Sequence, residues 1–409
     1  MNTNNSFGKK IKKLRAEQGL TLNQVAIKTG ITESFISYLE KGTRNPSKDV
    51  VFKLANALLP VDDRESLDDL LIAANLLPTN LEILSVRKDL ISIYEERLET
   101  NPKDYRTFTL FIMALFKTGK YEKAKEQIEK GFTIFKDSVQ LLSLLSHLEL
   151  IKGNYETAIV NINAAIENYK LKTDKEKEEI SLKLYDFILN LGTIYFTRGS
   201  EHSANKFKAE QEGNTELANR ERELAIQDLW LAKETYEQAL KLSPDDVYIL
   251  DEYARVNFNL GYFDDKRENY WDKTIRAYAK VIHSEKNYEM GSNELIESCV
   301  FYAHALTKNG EYNLSELLLD VISICKPDYW LVHYIKACHY SLQFNDVKDK
   351  SLLDKALKHL KRAMETRDSY NRTQTEATYD PDLKNVREYR KKEFVAMSLG
   401  VKSQDSLKV

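Results

Sequence analysis

The same spacing of small, glycine and aromatic residues occurs twice in this 409-residue chain, the second copy 34 residues after the first. Gly119, Tyr121 and Ala124 of the first copy recur as Gly153, Tyr155 and Ala158 of the second. Phe111 and Ala114 precede this core in the first copy, and Ile162 and Ala165 follow it in the second. Small residues allow two antiparallel helices to approach, and large residues fill the space toward the next pair. A period of this length therefore predicts an all-α fold of stacked helix pairs.

Less regular units continue the pattern. They are marked by Gly192 and Tyr195, by Ala254 and Gly261, by Tyr302 and Gly310, and by Trp330 and Ala337. The first of these later units contains a very polar insert near residues 200–224, which we expect to lengthen both helices of its hairpin. The sequence thus predicts about six helix pairs over residues 104–366.

These units resemble the tetratricopeptide repeat, and the resemblance implies a right-handed superhelical solenoid. In such a stack the first helix of each pair lines the concave face. Polar and aromatic residues on that face suit an extended peptide, although a solvated inner wall is the alternative interpretation. The predicted ligand-groove residues are Arg106, Thr109, Met113, Asn190, Tyr248, Asp251, Arg255, Asn259 and His304.

The first 59 residues differ from the rest in charge. They contain ten Lys or Arg and four Asp or Glu, a net charge of +6, in a chain whose net charge is −3. A basic head on an acidic body indicates that the head, and not the body, contacts a polyanion.

Helix start signals divide the head into short helices. The first is predicted from Phe7 to Gln18, and Thr21 with Gln24 forms a capping box for the second. Gly30 ends the second helix, Thr32 caps the third, and Ser47 caps the fourth. Two short helices joined across a glycine within a small bundle are typical of a helix-turn-helix.

The head also resembles the Cro/C1 (Xre) helix-turn-helix family. The matching residues are Leu14, Arg15, Gly19, Leu20, Thr21, Ala26, Gly30, Ile31, Ile36, Ser37, Glu40, Gly42, Arg44, Asn45, Pro46 and Ser47. The resemblance implies that the third helix lies in the major groove of double-stranded DNA, with Glu33, Ser34, Ser37 and Tyr38 reading bases. Leu22 departs from the family pattern, because a Gln that bonds to DNA often occupies this position.

A second set of head residues is predicted to contact phosphates. It consists of Lys9, Lys13, Thr21, Lys28, Lys41, Arg44, Asn45 and Ser47, with Lys10 beside them. Cations provide attraction that does not depend on sequence, and the free amides at the start of the fourth helix suit another phosphate.

The remaining segments carry less signal. Residues 60–103 are predicted to be a helical connector, although the helix predicted from Leu81 to Leu98 could instead be half of an incomplete repeat. Residues 367–409 are predicted to contain one last helix and a disordered end. We expect residues 1–59 to form the DNA-binding domain and residues 104–366 the repeats.

Composition excludes several other classes. Three cysteines, far apart, do not form a disulfide framework, and the seven His form no metal-ligand motif. The sequence has no membrane-length apolar run, no signal-peptide pattern and no phosphate loop or nucleophile motif. We therefore expect a cytoplasmic protein that is not an enzyme and that needs no cofactor or metal.

A repressor-type head followed by such repeats resembles the peptide-pheromone receptor regulators of Gram-positive bacteria, the RRNPP-like family. The resemblance implies a transcriptional regulator that binds a DNA operator as a homodimer and senses a short signalling peptide, as in quorum sensing. The alternative is a repeat scaffold that recruits a protein partner, with the head as its anchor.

Overall fold

The computed structural model describes residues 4–60, 63–76, 89–136, 138–180, 182–264, 269–287, 290, 292–366 and 377–398. Every regular element in these ranges is helical, which confirms the predicted all-α class. The chain divides into two compact units, Met1–Lys183 and Leu184–Val409. The finer boundaries near residues 59, 103 and 366 stay predictions.

Four helices build the head. They are α1 (Asn4–Glu17), α2 (Leu22–Thr29), α3 (Glu33–Glu40) and α4 (Lys48–Leu58). The hydroxyls of Thr21, Thr32 and Ser47 each accept a backbone amide at the start of a helix, as the sequence predicted. The first helix begins three residues earlier than the predicted Phe7. These local signals set the helix starts because each satisfies an amide that has no partner within its helix.

The head core is apolar and continuous with the next helix, α5 (Arg64–Ala73), which contacts α1 and α4. Its fully buried side chains include Phe7, Ile11, Val25, Ile36, Leu39, Val51 and Leu54. Each lies on the inward face of its helix, so the polar faces of the short helices are left to solvent.

The rest of the first unit contains the two regular repeats. Its helices are α6 (Asp89–Thr100), α7 (Tyr105–Lys117), α8 (Tyr121–Ile134), α9 (Val139–Ile151), α10 (Tyr155–Leu171) and α11 (Asp174–Glu179). The helices α7 and α8 form one pair and α9 and α10 the next, and Ala114, Ala124 and Ala158 are completely buried where the pairs close. Within α6, Tyr94 lies in the same core as Phe108 and Phe111 of the first repeat. The start of the helix predicted from Leu81 lies outside the described residues.

The second unit contains four more pairs. They are α12 (Leu184–Gln211) with α13 (Thr215–Leu242), α14 (Val247–Phe263) with α15 (Tyr270–His283), α16 (Ser292–Lys308) with α17 (Tyr312–Cys325), and α18 (Trp330–Val347) with α19 (Lys350–Thr366). The polar insert lengthens both helices of the first of these hairpins to 28 residues. No helix in the described ranges has the length and apolar character to cross a membrane.

Residues 377–398 pack onto the last repeats of this unit. A 3-10 turn (Pro381–Leu383) precedes α20 (Lys384–Tyr389) and α21 (Lys391–Ser398), so two short helices stand where the sequence predicted one. Leu383, Val386 and Phe394 join the core formed by α18 and α19. The predicted disorder after residue 398 lies outside the described residues.

Candidate nucleic-acid interface

The third helix presents one polar face to solvent. Its inner positions, Ile36 and Leu39, are 1% and 0% exposed and hold the helix on the head core. On the opposite side Glu33, Ser34 and Tyr38 are exposed, and Tyr38 is exposed by 50% despite its size. The structure therefore brings three of the four predicted base-reading residues to one open face.

The fourth predicted base reader, Ser37, is half-buried beside this face. Thr43, just beyond the helix, donates its hydroxyl to the carbonyl of Tyr38 at 3.0 Å and so satisfies a carbonyl at the helix end. This bond stabilises the last turn of α3, on which Tyr38 is carried.

The turn between α2 and α3 depends on Gly30. Its φ of +68° lies in the left-handed region, where a residue without a Cβ meets no steric penalty. Its amide donates to the carbonyl of Ala26 at 2.9 Å and closes α2. The buried Thr29 hydroxyl accepts from the amide of Ile31 at 3.2 Å, which leads the chain into α3.

An ion pair that no sequence pattern predicted holds the end of α3. Arg15 donates to both carboxylate oxygens of Glu40, at 2.6 and 2.9 Å, and to the carbonyl of Leu20 at 3.0 Å. Their side chains are only 17% and 8% exposed, and the hydrogen bond to Glu40 raises the pKa of Arg15. Both residues match the family pattern, but their separation by 25 positions hid the contact in the sequence.

Close packing of α1 on α3 is the second feature that sequence patterns did not reveal. A Cβ placed on Gly8 would collide with the carbonyl oxygen of Leu39 and would lie 2.7 Å from that of Glu40. Because the clash is with backbone, no side-chain rotation relieves it. Gly8 therefore sets how closely α1 approaches the end of α3.

The predicted Lys10 is half-buried and pairs with Asp69 at 3.2 Å, whereas the eight other predicted phosphate-contacting residues are exposed. These are Lys9, Lys13, Thr21, Lys28, Lys41, Arg44, Asn45 and Ser47. The hydroxyl oxygens of Thr21 and Ser47 already accept backbone amides of α2 and α4, so each hydroxyl can reach a phosphate only as a donor. Lys13 forms a weak surface pair with Glu17 at 3.6 Å, which leaves its charge available. Leu22, at the family's Gln position, is half-buried.

The predicted ligand-groove residues fall in both compact units. Arg106, Thr109 and Met113 share a half-buried face of α7 in the first unit, and burial lowers the pKa of Arg106. Asn190 is exposed on α12 in the second unit, and Tyr248 and Asn259 are half-buried on α14. The contact of each with a ligand stays a prediction.

Two of the predicted groove residues bind each other within the second unit. The guanidinium of Arg255 donates to Asp251 at 2.7 Å and to Glu297 of α16 at 3.3 Å. Asp251 is 5% exposed and also accepts the hydroxyl of Ser298 at 2.6 Å. This network joins α14 to α16, so Asp251 is engaged within the fold.

His304 is buried against the segment that contains Asp382. Its ring is 3% exposed, and its Nε2 lies 2.8 Å from the carboxylate of Asp382. Burial would raise the pKa of Asp382, but its hydrogen bonds and the charges of His304 and Lys308 outweigh burial and hold that pKa well below the usual range. The repeat pattern predicted His304 on an open surface and did not reveal its contact with Asp382, because no local pattern connects residues 78 positions apart.

Comparison with known proteins identifies the head. A helix-turn-helix family model matches residues 11–61. An uncharacterised HTH-type transcriptional regulator of Sinorhizobium fredii, y4dJ, is 39% identical over 51 residues. The match covers 12% of this chain and 66% of the relative, so the chain spans just under two thirds of that relative's length.

Similar solved structures cover more of the chain at low identity. The Cut9–Hcn1 complex of the APC/C matches 89% of this chain and 60% of its own with 16% identity and a TM-score of 0.48. Bacillus thuringiensis PlcR, in complex with the peptide PapR7 and DNA, matches 80% of this chain and 99% of its own with 15% identity and a TM-score of 0.32. At these scores, the assignment of the repeats depends on their own helix pairs and sequence period.

The head thus combines the family match, the glycine turn between α2 and α3, and the exposed face of α3 on a buried core. The N-terminal domain of this chain is a helix-turn-helix domain of the Xre type, followed in the same chain by helix pairs of the tetratricopeptide type.

Proposed function

We propose that the chain is a sequence-specific DNA-binding transcriptional regulator whose α3 enters the major groove. The observation that carries this proposal is the exposed face of α3, fixed to the head core by Ile36 and Leu39. Glu33 can accept a hydrogen bond from a cytosine amine, Ser34 can bond to a base or a phosphate, and the ring of Tyr38 can contact a thymine methyl.

The charge of the head supports the same proposal. Four exposed cations lie on either side of the base-reading residues along the sequence: Lys9, Lys28, Lys41 and Arg44. None of them is buried in the head core. Such cations give affinity for any DNA, while the face of α3 gives the preference for one sequence. The two contributions can be separated by experiment.

The test compares Glu33→Ala/Tyr38→Ala with the wild type on DNA selected by the wild type from a random pool. Losing base contacts costs about 1–3 kcal/mol each, so we expect roughly a tenfold or greater loss of affinity for selected DNA. Fluorescence anisotropy measures both this loss and binding to random DNA, which should change little. The charge-matched control is Glu129→Ala, on the exposed face of α8.

Two outcomes would reject the proposal. If the double variant and the wild type bind selected DNA with equal affinity, α3 is not the helix that reads the base sequence. Failure of the wild type to bind any DNA at low salt would remove the regulator function altogether.

We also propose that the repeats bind a short peptide and that the protein acts as a homodimer. Two heads on one duplex suit half-sites one helical turn apart, and a peptide that bridges several repeats can shift the population of solenoid shapes and so the head spacing. The test repeats the DNA selection with and without the peptide fraction secreted by the host. A peptide-dependent change in affinity is expected, and identical selections would reject peptide control.

A further inference from the structure

A short acidic segment of the chain lies on three successive first helices of the second unit. The carboxylate of Asp382 accepts hydrogen bonds from the hydroxyl of Tyr262 on α14 at 2.5 Å and from Lys308 on α16 at 2.7 Å, and it lies 2.8 Å from His304 Nε2. Asp382 is 2% exposed, although it is a charged residue. Three polar groups from two repeat pairs thus converge on one carboxylate.

A second carboxylate, two residues earlier, has its own partners. Asp380 accepts the hydroxyl of Tyr334 on α18 at 2.7 Å, and it lies 3.7 Å from the sulfur of Cys338. Burial and the charge of Asp382 raise the pKa of Asp380. With Pro381 between them, the two acids occupy adjacent subsites, one on α14 and α16 and the other on α18.

The groups around Asp382 also contact one another and the rings beside them. Lys308 Nζ lies 4.5 Å from the ring centre of Tyr262 and 5.2 Å from that of Trp271. The ring of His304 packs edge-on against Phe258. Aromatic faces stabilise a cation and fix its direction, so this cluster is organised to receive an anion.

We infer that Tyr262, His304, Lys308 and Tyr334 form a binding site for an acidic peptide with two carboxylates two residues apart, a site filled in cis by Asp380 and Asp382. The inference deepens the proposed function and rests on its peptide-binding part, for which it names the ligand chemistry. Burying carboxylates is unfavourable unless donors surround them, and the same donors serve an incoming peptide. Since a tethered segment competes at a high effective concentration, a peptide in trans binds weakly until the segment is displaced.

The test uses a labelled synthetic peptide with the sequence of residues 377–390, ATYDPDLKNVREYR. Its affinity is measured on the full wild-type chain, on Asp380→Asn/Asp382→Asn, and on that double variant with Lys308→Met added. Because the asparagines weaken the cis contacts, we expect the double variant to bind at least tenfold more tightly than the wild type. Lys308→Met should reverse this gain, and a peptide with both acids changed to Asn should bind no variant.

Equal binding by wild type and double variant, or no effect of Lys308→Met, would overturn the inference. Circular dichroism and thermal unfolding establish that each variant is folded. If the double variant does not fold, hydrogen exchange of residues 377–398 in the wild type is measured with excess peptide. Faster exchange supports displacement, and unchanged exchange refutes it.

This result is separable from that of the DNA experiment. If the chain binds the peptide but binds no DNA, the proposed site for an acidic peptide is supported and the regulator function is rejected. If the chain binds DNA but does not bind the peptide, the regulator function is supported and the peptide site is rejected.

Discussion

Gly8 illustrates how one residue controls the placement of α3, the helix proposed to read DNA. Alanine in place of glycine within a helix normally stabilises it by about 1 kcal/mol. Here the added methyl would collide with the carbonyls of Leu39 and Glu40, and such overpacking costs about 1–3 kcal/mol. We therefore expect Gly8→Ala to lower the midpoint of head unfolding and to weaken binding to selected DNA. Lys12→Ala, an exposed change on the same helix, is the control, and a stabilised Gly8→Ala would contradict the packing argument.

His339 makes the second unit sensitive to acid. Burial lowers the pKa of its ring to about 4, and Nδ1 lies 2.9 Å from the hydroxyl of Thr307. The unfolded chain, with an ordinary His pKa near 6.5, binds this proton more readily, so stability is lost as the pH falls from about 6.5 toward 4. Between pH 7 and pH 5, His339 alone should contribute about 2 kcal/mol to this loss. Urea unfolding of the wild type and of His339→Gln at both pH values measures this contribution. An equal loss of stability in the two proteins would show that His339 is not its source.

At the scale of helices and hairpins, local signals and long-range contacts differ in what a sequence reveals. The caps at Thr21, Thr32 and Ser47 act within three residues, and the 34-residue period follows from the packing of neighbouring pairs, so both are visible in the sequence. The pairing of Arg15 with Glu40 and the position of Asp382 against His304 join distant segments with no repeating pattern. Such contacts depend on the complete packing and could not be predicted.

The long hairpin of α12 and α13 contains another such contact. Arg198 forms two hydrogen bonds with Asp228, at 2.8 and 2.6 Å, and their side chains are 21% and 5% exposed. Removing one charge of a buried pair costs about 3 kcal/mol, because the other charge loses its partner. We expect Asp228→Asn to destabilise the second unit by roughly this amount in urea unfolding. Glu210→Gln, an exposed paired acid on the same hairpin, should change stability by less than about 0.5 kcal/mol, and equal effects would contradict the role of burial.

For the whole molecule, the salt dependence of DNA binding reports how many heads bind. Each phosphate neutralised contributes about −0.9 to the slope of log affinity against log salt. The five cations predicted at phosphates, Lys9, Lys13, Lys28, Lys41 and Arg44, would give about −4.5 for one head and about −9 for two. The slope is measured by anisotropy on DNA with two selected half-sites.

A slope of about −4.5 on the DNA with two half-sites would show that one head binds and would contradict the homodimer. Lys28→Ala should reduce the magnitude of the slope by about 0.9 per bound head and should weaken selected and random DNA equally, because a phosphate contact carries no sequence information. Lys130→Ala, an exposed change on α8, is the matched control. An unchanged slope for Lys28→Ala would remove that residue from the DNA surface, whereas a loss confined to selected DNA would make it a base-reading residue.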